Sequence, residues 1–375
     1  MKPLVRHDLA HPDGRRVFVY GSLAGEPELV PSETSTGDIH CRLDILTGDW
    51  VAISPKRNVR PLDRERDDER ACPICPGGVE LPFAYEAVVF ENRYPSLVAD
   101  PPPVEAAGPV RTALGRCEVV VYTQRHAASF GELTPVELGR LLAVWIDRSL
   151  ELWTVDRHEL VLLFENRGAE AGATLSHPHG QIYALDHVPP LPSAKIDAHR
   201  RHRKRVGGCL GCEVVARESG SERIVAENRS FVVGVPFAPR WPYEVHVRGR
   251  RHGLGRLADL EEHEQIDLLA ALRGVALRYD ALHGAGTPYL LVTQEAPRGQ
   301  PDWHVAFEFY PLRRTRTASK IRASVETATG LFLNDVLPEE AAAALRALAV
   351  DEPPIGGEHL HRVERAVREH QAVAP

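Results

Sequence analysis

The chain has 375 residues, room for two cores of ordinary size, with 43% hydrophobic and 26% charged residues and a formal net charge of −7. That mild acidity gives no electrostatic case for nucleic acid or a membrane surface as the main partner. No apolar run reaches the roughly 18 residues of a membrane span, and the start Met1-Lys2-Pro3-Leu4-Val5-Arg6-His7-Asp8 lacks a signal-like apolar core, so a cytoplasmic location is expected.

In chain order, the first chemically loaded segment is Cys72-Pro73-Ile74-Cys75-Pro76-Gly77-Gly78, one of two Cys-x-x-Cys pairs; the other is Cys209/Cys212. In a chain expected in the cytoplasm such pairs read as metal binding or redox chemistry, not as structural disulfides. A redox pair opens a helix after a strand. Both pairs here read as turn-rich loops, which suits zinc better. Glu91-Asn92-Arg93 follows, and then a strand pattern, Glu118-Val119-Val120-Val121-Tyr122, that runs on to His126. Thr134-Pro135-Val136-Glu137 carries a capping residue, a proline at the first helical position and a glutamate at the third. Leu138, Leu141, Leu142 and Trp145 continue at helical spacing. An apolar strand, Leu160–Glu165, leads through Asn166-Arg167-Gly168 to His177-Pro178-His179-Gly180-Gln181-Ile182-Tyr183.

The second half repeats this order. Cys209-x-x-Cys212 precedes Glu227-Asn228-Arg229, then a strand pattern from Glu244 to His252, a helix beginning at Asp259, a strand Tyr289–Gln294, and His304-Val305-Ala306-Phe307-Glu308-Phe309-Tyr310. His126 to His177 spans 51 residues and His252 to His304 spans 52. The chain therefore reads as an α+β protein of two copies, residues 1–190 and 191–375, each an antiparallel sheet with packed helices. The Pro-rich stretch 188–192 and the basic run 198–205 are expected to join them.

Aligning the copies predicts two ligand sets, Cys72, Cys75, His126 and His177, and Cys209, Cys212, His252 and His304. Four thiolate and imidazole ligands match a closed, tetrahedral structural zinc site. Asp302 competes with His304 for the fourth place in the second set. One histidine has no counterpart, because His179 becomes Ala306 in the second copy. On an extended segment His179 shares a face with His177 and Gln181, so a rigid neighbour would hold it as a nucleophile toward phosphorus. Gln181 can donate a hydrogen bond to a phosphoryl oxygen.

The HPHGQ segment, preceded by Glu165-Asn166-Arg167-Gly168-Ala169, resembles the galactose-1-phosphate uridylyltransferase family, a branch of the histidine-triad superfamily, over nearly the whole chain. The resemblance implies two tandem histidine-triad-like repeats. It also implies that His179 attacks the α-phosphorus of UDP-glucose, releasing glucose 1-phosphate and leaving a uridylyl-histidine that galactose 1-phosphate then discharges. By the same resemblance Arg57 and Arg60 lie near the nucleotide phosphates, and Asn92 with Tyr94 grips the uridine. Asn166, Thr174 and Gln181 contact phosphate. Lys320 and Glu326 belong to a segment that reaches the sugar from a neighbouring subunit, which implies a homodimer. Some members hold iron in the second half through positions that are Gln294, Ala306 and Glu308 here, so no iron is expected, whereas relatives with a second Cys-x-x-Cys carry a second zinc. Ile321 and Val325 stand where aromatic residues occur in some members, which leaves the acceptor sugar open.

Three rival readings remain. A nucleoside-diphosphate-sugar phosphorylase acting on ADP-glucose and phosphate would share His179 and both metal sets. A hydrolase of the small histidine-triad type typically has a histidine where Gln181 stands, and glutamine cannot serve as acid or base. A zinc-containing nucleic-acid module would use the run His199–Arg205, against the acidic overall charge.

Overall fold

The computed structural model describes residues 1–25, 27–30, 39–59, 69, 72–351 and 353–366. Its elements in order are β1 Lys2–Ala10, β2 Arg16–Tyr20, β3 His40–Leu43, β4 Trp50–Ile53, β5 Ala87–Glu91, β6 Val110–Thr112, β7 Gly115–Val121, α1 Pro135–Trp153, β8 Leu160–Arg167, β9 His179–Leu185, α2 Pro190–Val206 and α3 Leu210–Glu218. There follow β10 Ile224–Glu227, β11 Phe231–Gly234, β12 Val245–Gly249, α4 Glu262–His283, β13 Tyr289–Gln294, β14 Ala306–Pro311, α5 Ser324–Thr329, α6 Pro338–Arg346 and β15 His361–Arg365.

The two copies share one sheet. Twelve strands run in the order β10-β11-β12-β14-β13-β8-β9-β7-β5-β2-β1-β15. The seam is the antiparallel pair β8–β13, where Glu165 lies opposite Leu291. Within each half the last two strands of the repeat pair antiparallel, Phe164 opposite Gln181 and Gln294 opposite Ala306. The final strand β15 returns to lie parallel beside β1, so the end of the second half completes the outer edge of the first. A separate three-stranded sheet, β4-β3-β6, has no counterpart in the sequence reading.

The near-continuous valines of β7 are explained by cover on both faces. Val120 and the following Tyr122 pack with α1, while Val119 and Val121 face the loop that carries Cys72 and Cys75. Helix α1 starts where its capping signal says. Thr134 Oγ accepts from the Glu137 N–H at 3.3 Å, and Glu137 Oε2 accepts from the Thr134 N–H at 2.8 Å. Its buried side is Leu138, Leu141, Leu142 and Trp145, the stripe read from the sequence. The backbone at residue 359 passes so close that a Cβ on Gly139 would stand 2.0 Å from the His359 carbonyl oxygen.

The basic run 198–205, expected to join the halves, does so as the second half of α2, a largely solvated helix whose buried side chains are Ile196 and His202. Two expectations need correction. The second Cys pair does not lie in a turn-rich loop, since Cys209 precedes α3 and Cys212 lies inside its first turn. The second-copy helix begins at Glu262, after a short 3-10 turn at Leu257–Asp259, not at Asp259 itself.

Candidate active site

His179 is the first residue of β9, and its position follows from the segment before it. Pro178 fixes the backbone between the two histidines. The His179 ring Nδ1 lies 2.8 Å from the His177 carbonyl oxygen, to which its N–H donates. That bond selects the tautomer and leaves Nε2 with its lone pair. Burial lowers the His179 pKa, which favours the neutral ring a nucleophile requires.

Around it, the predicted residues assemble in part. Asn92 Nδ2 reaches Gln181 Oε1 at 3.5 Å, and the Asn92 side chain accepts from the Tyr94 N–H at 2.8 Å. Arg57 Nη1 donates to the Tyr94 carbonyl at 3.0 Å and to the Tyr183 hydroxyl at 3.3 Å. Tyr183 lies on the same strand face as His179 and Gln181, so one polar chain runs from Arg57 toward the nucleophile. Asn166 and Thr174 line a cavity of about 440 Å³ together with His177, Pro178 and His179. Arg60 lies outside the described residues. Lys320 and Glu326 do not line that cavity; they pair with each other at 2.7 Å, and Lys320 also donates to the Leu333 carbonyl at 2.6 Å.

Among the described residues two groups could hold a metal ion. Ligand atoms of Cys72, Cys75, His126 and His177 lie within 4.8 Å of one another, and so do those of Cys209, Cys212, His252 and His304. In the first, all four residues are buried, with Cys75 Sγ at 3.3 Å from His126 Nδ1 and 3.2 Å from His177 Nδ1. His177 Nε2 donates to the Thr123 carbonyl at 2.7 Å, which turns Nδ1 toward the thiols. Burial and the neighbouring Cys72 push the Cys75 thiol up to about 12, and burial pushes His177 down to about 4. Thiols this reluctant to ionise in a buried pocket are what a divalent cation would reverse.

In the second group Cys212 Sγ is 3.5 Å from His252 Nδ1 and 3.3 Å from His304 Nε2, and the other His304 nitrogen donates to the Gly249 carbonyl at 2.8 Å. Gly211 lets the first turn of α3 approach His304, since a Cβ there would stand 2.4 Å from the His304 ring. Asp302, the alternative fourth ligand, instead pairs with Arg203, and its nearer approach to His252 Nε2 is 3.9 Å.

The second copy's counterpart of the catalytic position does not suit a metal. Ala306 offers a methyl group, and the Glu308 carboxylate is already met by Lys195 Nζ at 2.8 Å, by Gln294 Nε2 at 3.1 Å and by the Tyr310 hydroxyl. Lys195, His246 and Arg248 keep Glu308 charged against its burial. An internal ammonium thus does there what a cation would do. Sequence reasoning missed this pair because 113 residues separate its partners.

It also gave no role to Glu165, Arg167 or Asp280, which share the cavity with His179. Arg167 Nη2 pairs with Asp280 Oδ2 at 2.9 Å across the seam. Glu165 is buried, and desolvation lifts its pKa from 4.5 to about 7 despite the opposing Arg167 and two phenols. Its stabilising contribution is therefore complete below pH 4.5 and is lost as pH rises through about 7. Glu165→Gln is expected to outlast the wild type in urea at pH 8 by about 3 kcal/mol and to match it only below about pH 4; equal stability at pH 8 would contradict the assignment.

Family descriptions for the galactose-1-phosphate uridyl transferase N-terminal and C-terminal domains match residues 32–189 and 195–353. A galactose-1-phosphate uridylyltransferase of Thermotoga maritima is 41% identical over 318 residues, covering 83% of this chain and 98% of that protein. One from Streptomyces lividans is 32% identical over 359 residues, covering 90% and 96%. A solved uridylyltransferase superposes with a TM-score of 0.74 at 32% identity over 82% of this chain and 97% of that one. An Arabidopsis thaliana ADP-glucose phosphorylase with bound ADP-glucose shares the fold, with a TM-score of 0.62 at 24% identity over 83% of this chain and 99% of that one. This two-repeat α+β chain belongs to the galactose-1-phosphate uridyl transferase family.

Proposed function

We propose that the chain exchanges a uridylyl group between UDP-glucose and galactose 1-phosphate by a ping-pong route through His179. The observation that carries this reading is the His179 ring, tied at Nδ1 to the His177 carbonyl with Nε2 left as lone pair. In the first step the Nε2 pair attacks the α-phosphorus. The bond from that phosphorus to the bridging oxygen breaks, and glucose 1-phosphate leaves with the electron pair. The ring keeps its Nδ1 proton and becomes a uridylyl-imidazolium, whose positive charge the His177 carbonyl faces. In the second step a phosphate oxygen of galactose 1-phosphate attacks the same phosphorus and the pair returns to Nε2. No net proton transfer is required, which fits a glutamine at 181.

Gln181, Asn166 and Thr174 would hold phosphoryl oxygens, with Arg57 and Arg60 toward the nucleotide phosphates and Asn92 and Tyr94 toward the uridine. Lys320 and Glu326 would serve the sugar of a second copy in a homodimer. Zinc fits both Cys₂His₂ groups, where all four protein ligands leave no open position for substrate; it would fix His177 and so the strand that carries His179. Among the described residues no helix is long and apolar enough to cross a membrane, and we place the enzyme in the cytoplasm. The division into units 1–190 and 191–375 follows the repeat.

Steady-state kinetics with UDP-glucose and galactose 1-phosphate varied together test this reading. Parallel double-reciprocal lines are expected, with exchange of labelled glucose 1-phosphate into UDP-glucose in the absence of galactose 1-phosphate. Intersecting lines without that exchange would contradict a covalent route, and exchange with ADP-glucose alone would transfer the assignment to an adenylyl phosphorylase.

A further inference from the structure

Glu165 is a titratable group that the transfer chemistry leaves unused. It sits on the seam strand β8 and is 6% exposed. Its carboxyl is caught between two phenols, with the Tyr122 hydroxyl 3.2 Å from Oε2 and the Tyr289 hydroxyl 3.5 Å from Oε1. Tyr122 follows β7 in the first repeat and Tyr289 opens β13 in the second, so the carboxyl bridges the two halves. The same Tyr122 hydroxyl lies close against the catalytic strand. A Cβ on Gly180 would stand 2.3 Å from it, and Gly180 lies between His179 and Gln181. Any movement of Tyr122 is thereby passed to the backbone that aims the nucleophile.

We propose that Glu165, as a neutral carboxylic acid joining Tyr122 to Tyr289, is a positioning residue for His179, and that its ionisation turns the site down. The inference rests on the function proposed above. The physical reason lies in hydrogen-bond lengths. Both phenol contacts are long for O–H···O bonds, and a carboxylate draws such donors to roughly 2.5–2.7 Å. Ionisation would therefore shift the Tyr122 hydroxyl relative to Gly180 by several tenths of an ångström, an error that a preorganised site does not tolerate. It would also place a desolvated negative charge on the wall of the cavity that receives phosphoryl groups.

The groups around Glu165 define how it titrates. Tyr122 faces it from the end of β7 and Tyr289 from β13; Arg167 stands on its own strand. Asp280 and Tyr279 of α4 lie behind Tyr289, and His179 of β9 lines the same cavity. Trp145 of α1 and Phe309 of β14 close the shell around the two phenols with uncharged rings. Arg167 is the cation that opposes protonation, and Asp280 partly neutralises it at 2.9 Å. The result is a pKa of about 7, within the working range of an enzyme.

The experiment measures kcat and KM for both substrates from pH 6 to 9 in wild type, Glu165→Gln and Tyr122→Phe. Wild-type kcat is expected to fall toward tenfold per pH unit above about 7, with KM changing far less. Glu165→Gln keeps the bridge without the charge, so it should remain active and lose that alkaline limb. Tyr122→Phe removes the hydroxyl that lies against Gly180 and should lower kcat at every pH, with the limb moved upward because one stabilising donor to the carboxylate is gone. A Glu165→Gln enzyme that declines along the wild-type limb, or a wild type flat to pH 9, would overturn the inference while the transferase reading stands. A folded wild type that transfers nothing at any pH would overturn both.

Discussion

His179→Asn is expected to reduce uridylyl transfer by on the order of 10⁴-fold or more, with little change in melting temperature. The size follows from the chemistry, since without Nε2 there is no covalent intermediate and no second residue in the described cavity offers a comparable free ring nitrogen. The neighbouring histidine cannot substitute, because both His177 nitrogens are engaged, one with the Thr123 carbonyl at 2.7 Å and the other with Cys75 Sγ at 3.2 Å. The small structural effect follows from the contacts. The His179 ring makes one hydrogen bond, to the His177 carbonyl at 2.8 Å, worth about 1 kcal/mol. Circular-dichroism melts and an exchange assay on the same preparation check both halves. Turnover within tenfold of wild type would remove His179 from the mechanism.

Cys75→Ser should show the opposite pattern, with stability and metal lost together and activity lost as a consequence. Cys75 Sγ lies against both His126 and His177 and is buried with them. Losing it opens the first group at its centre and frees the residue whose carbonyl orients His179. We expect one zinc equivalent per chain to disappear and the unfolding free energy to fall by at least about 3 kcal/mol. Cys212→Ser should remove the other equivalent at a smaller loss, because its group is less enclosed: the His252 side chain is 57% exposed. Elemental analysis alongside urea melts decides it. Wild-type metal content in Cys75→Ser would refute the first ligand set, and equal destabilisation by the two variants would refute the ranking.

The contrast between these variants reflects what the sequence could and could not convey. The two Cys/His groups were legible because each ligand recurs at matched spacing in both copies, so the repeat supplied what a lone His126 or His252 lacks. The unmatched His179 was legible for the same reason, as the one histidine replaced by Ala306. The seam was not legible. Nothing in Leu160–Arg167 or Tyr289–Gln294 states that these strands pair with one another, because strand partnership is set by three-dimensional cover and not by local pattern. The return of β15 to β1 was hidden likewise. The helical form of α2 was only partly legible, because its charges obscure an apolar stripe that amounts to Ile196 and His202. Lys195 with Glu308, and Glu165 with its two tyrosines, are long-range pairs whose members look ordinary in isolation. Lys320 and Glu326, expected at the sugar, bind each other within one chain and await the second copy assigned to them in the proposed function.

The central claim is a covalent bond between His179 Nε2 and the α-phosphorus of the donor. It is tested most directly by intact mass at neutral pH after mixing the chain with UDP-glucose and no acceptor, followed by peptide mapping under mildly alkaline conditions. The expected result is a uridylyl-sized gain on the peptide containing His179, its loss on adding galactose 1-phosphate, and no gain in His179→Asn. A stable gain on any other residue, or an equal gain in His179→Asn, would contradict it.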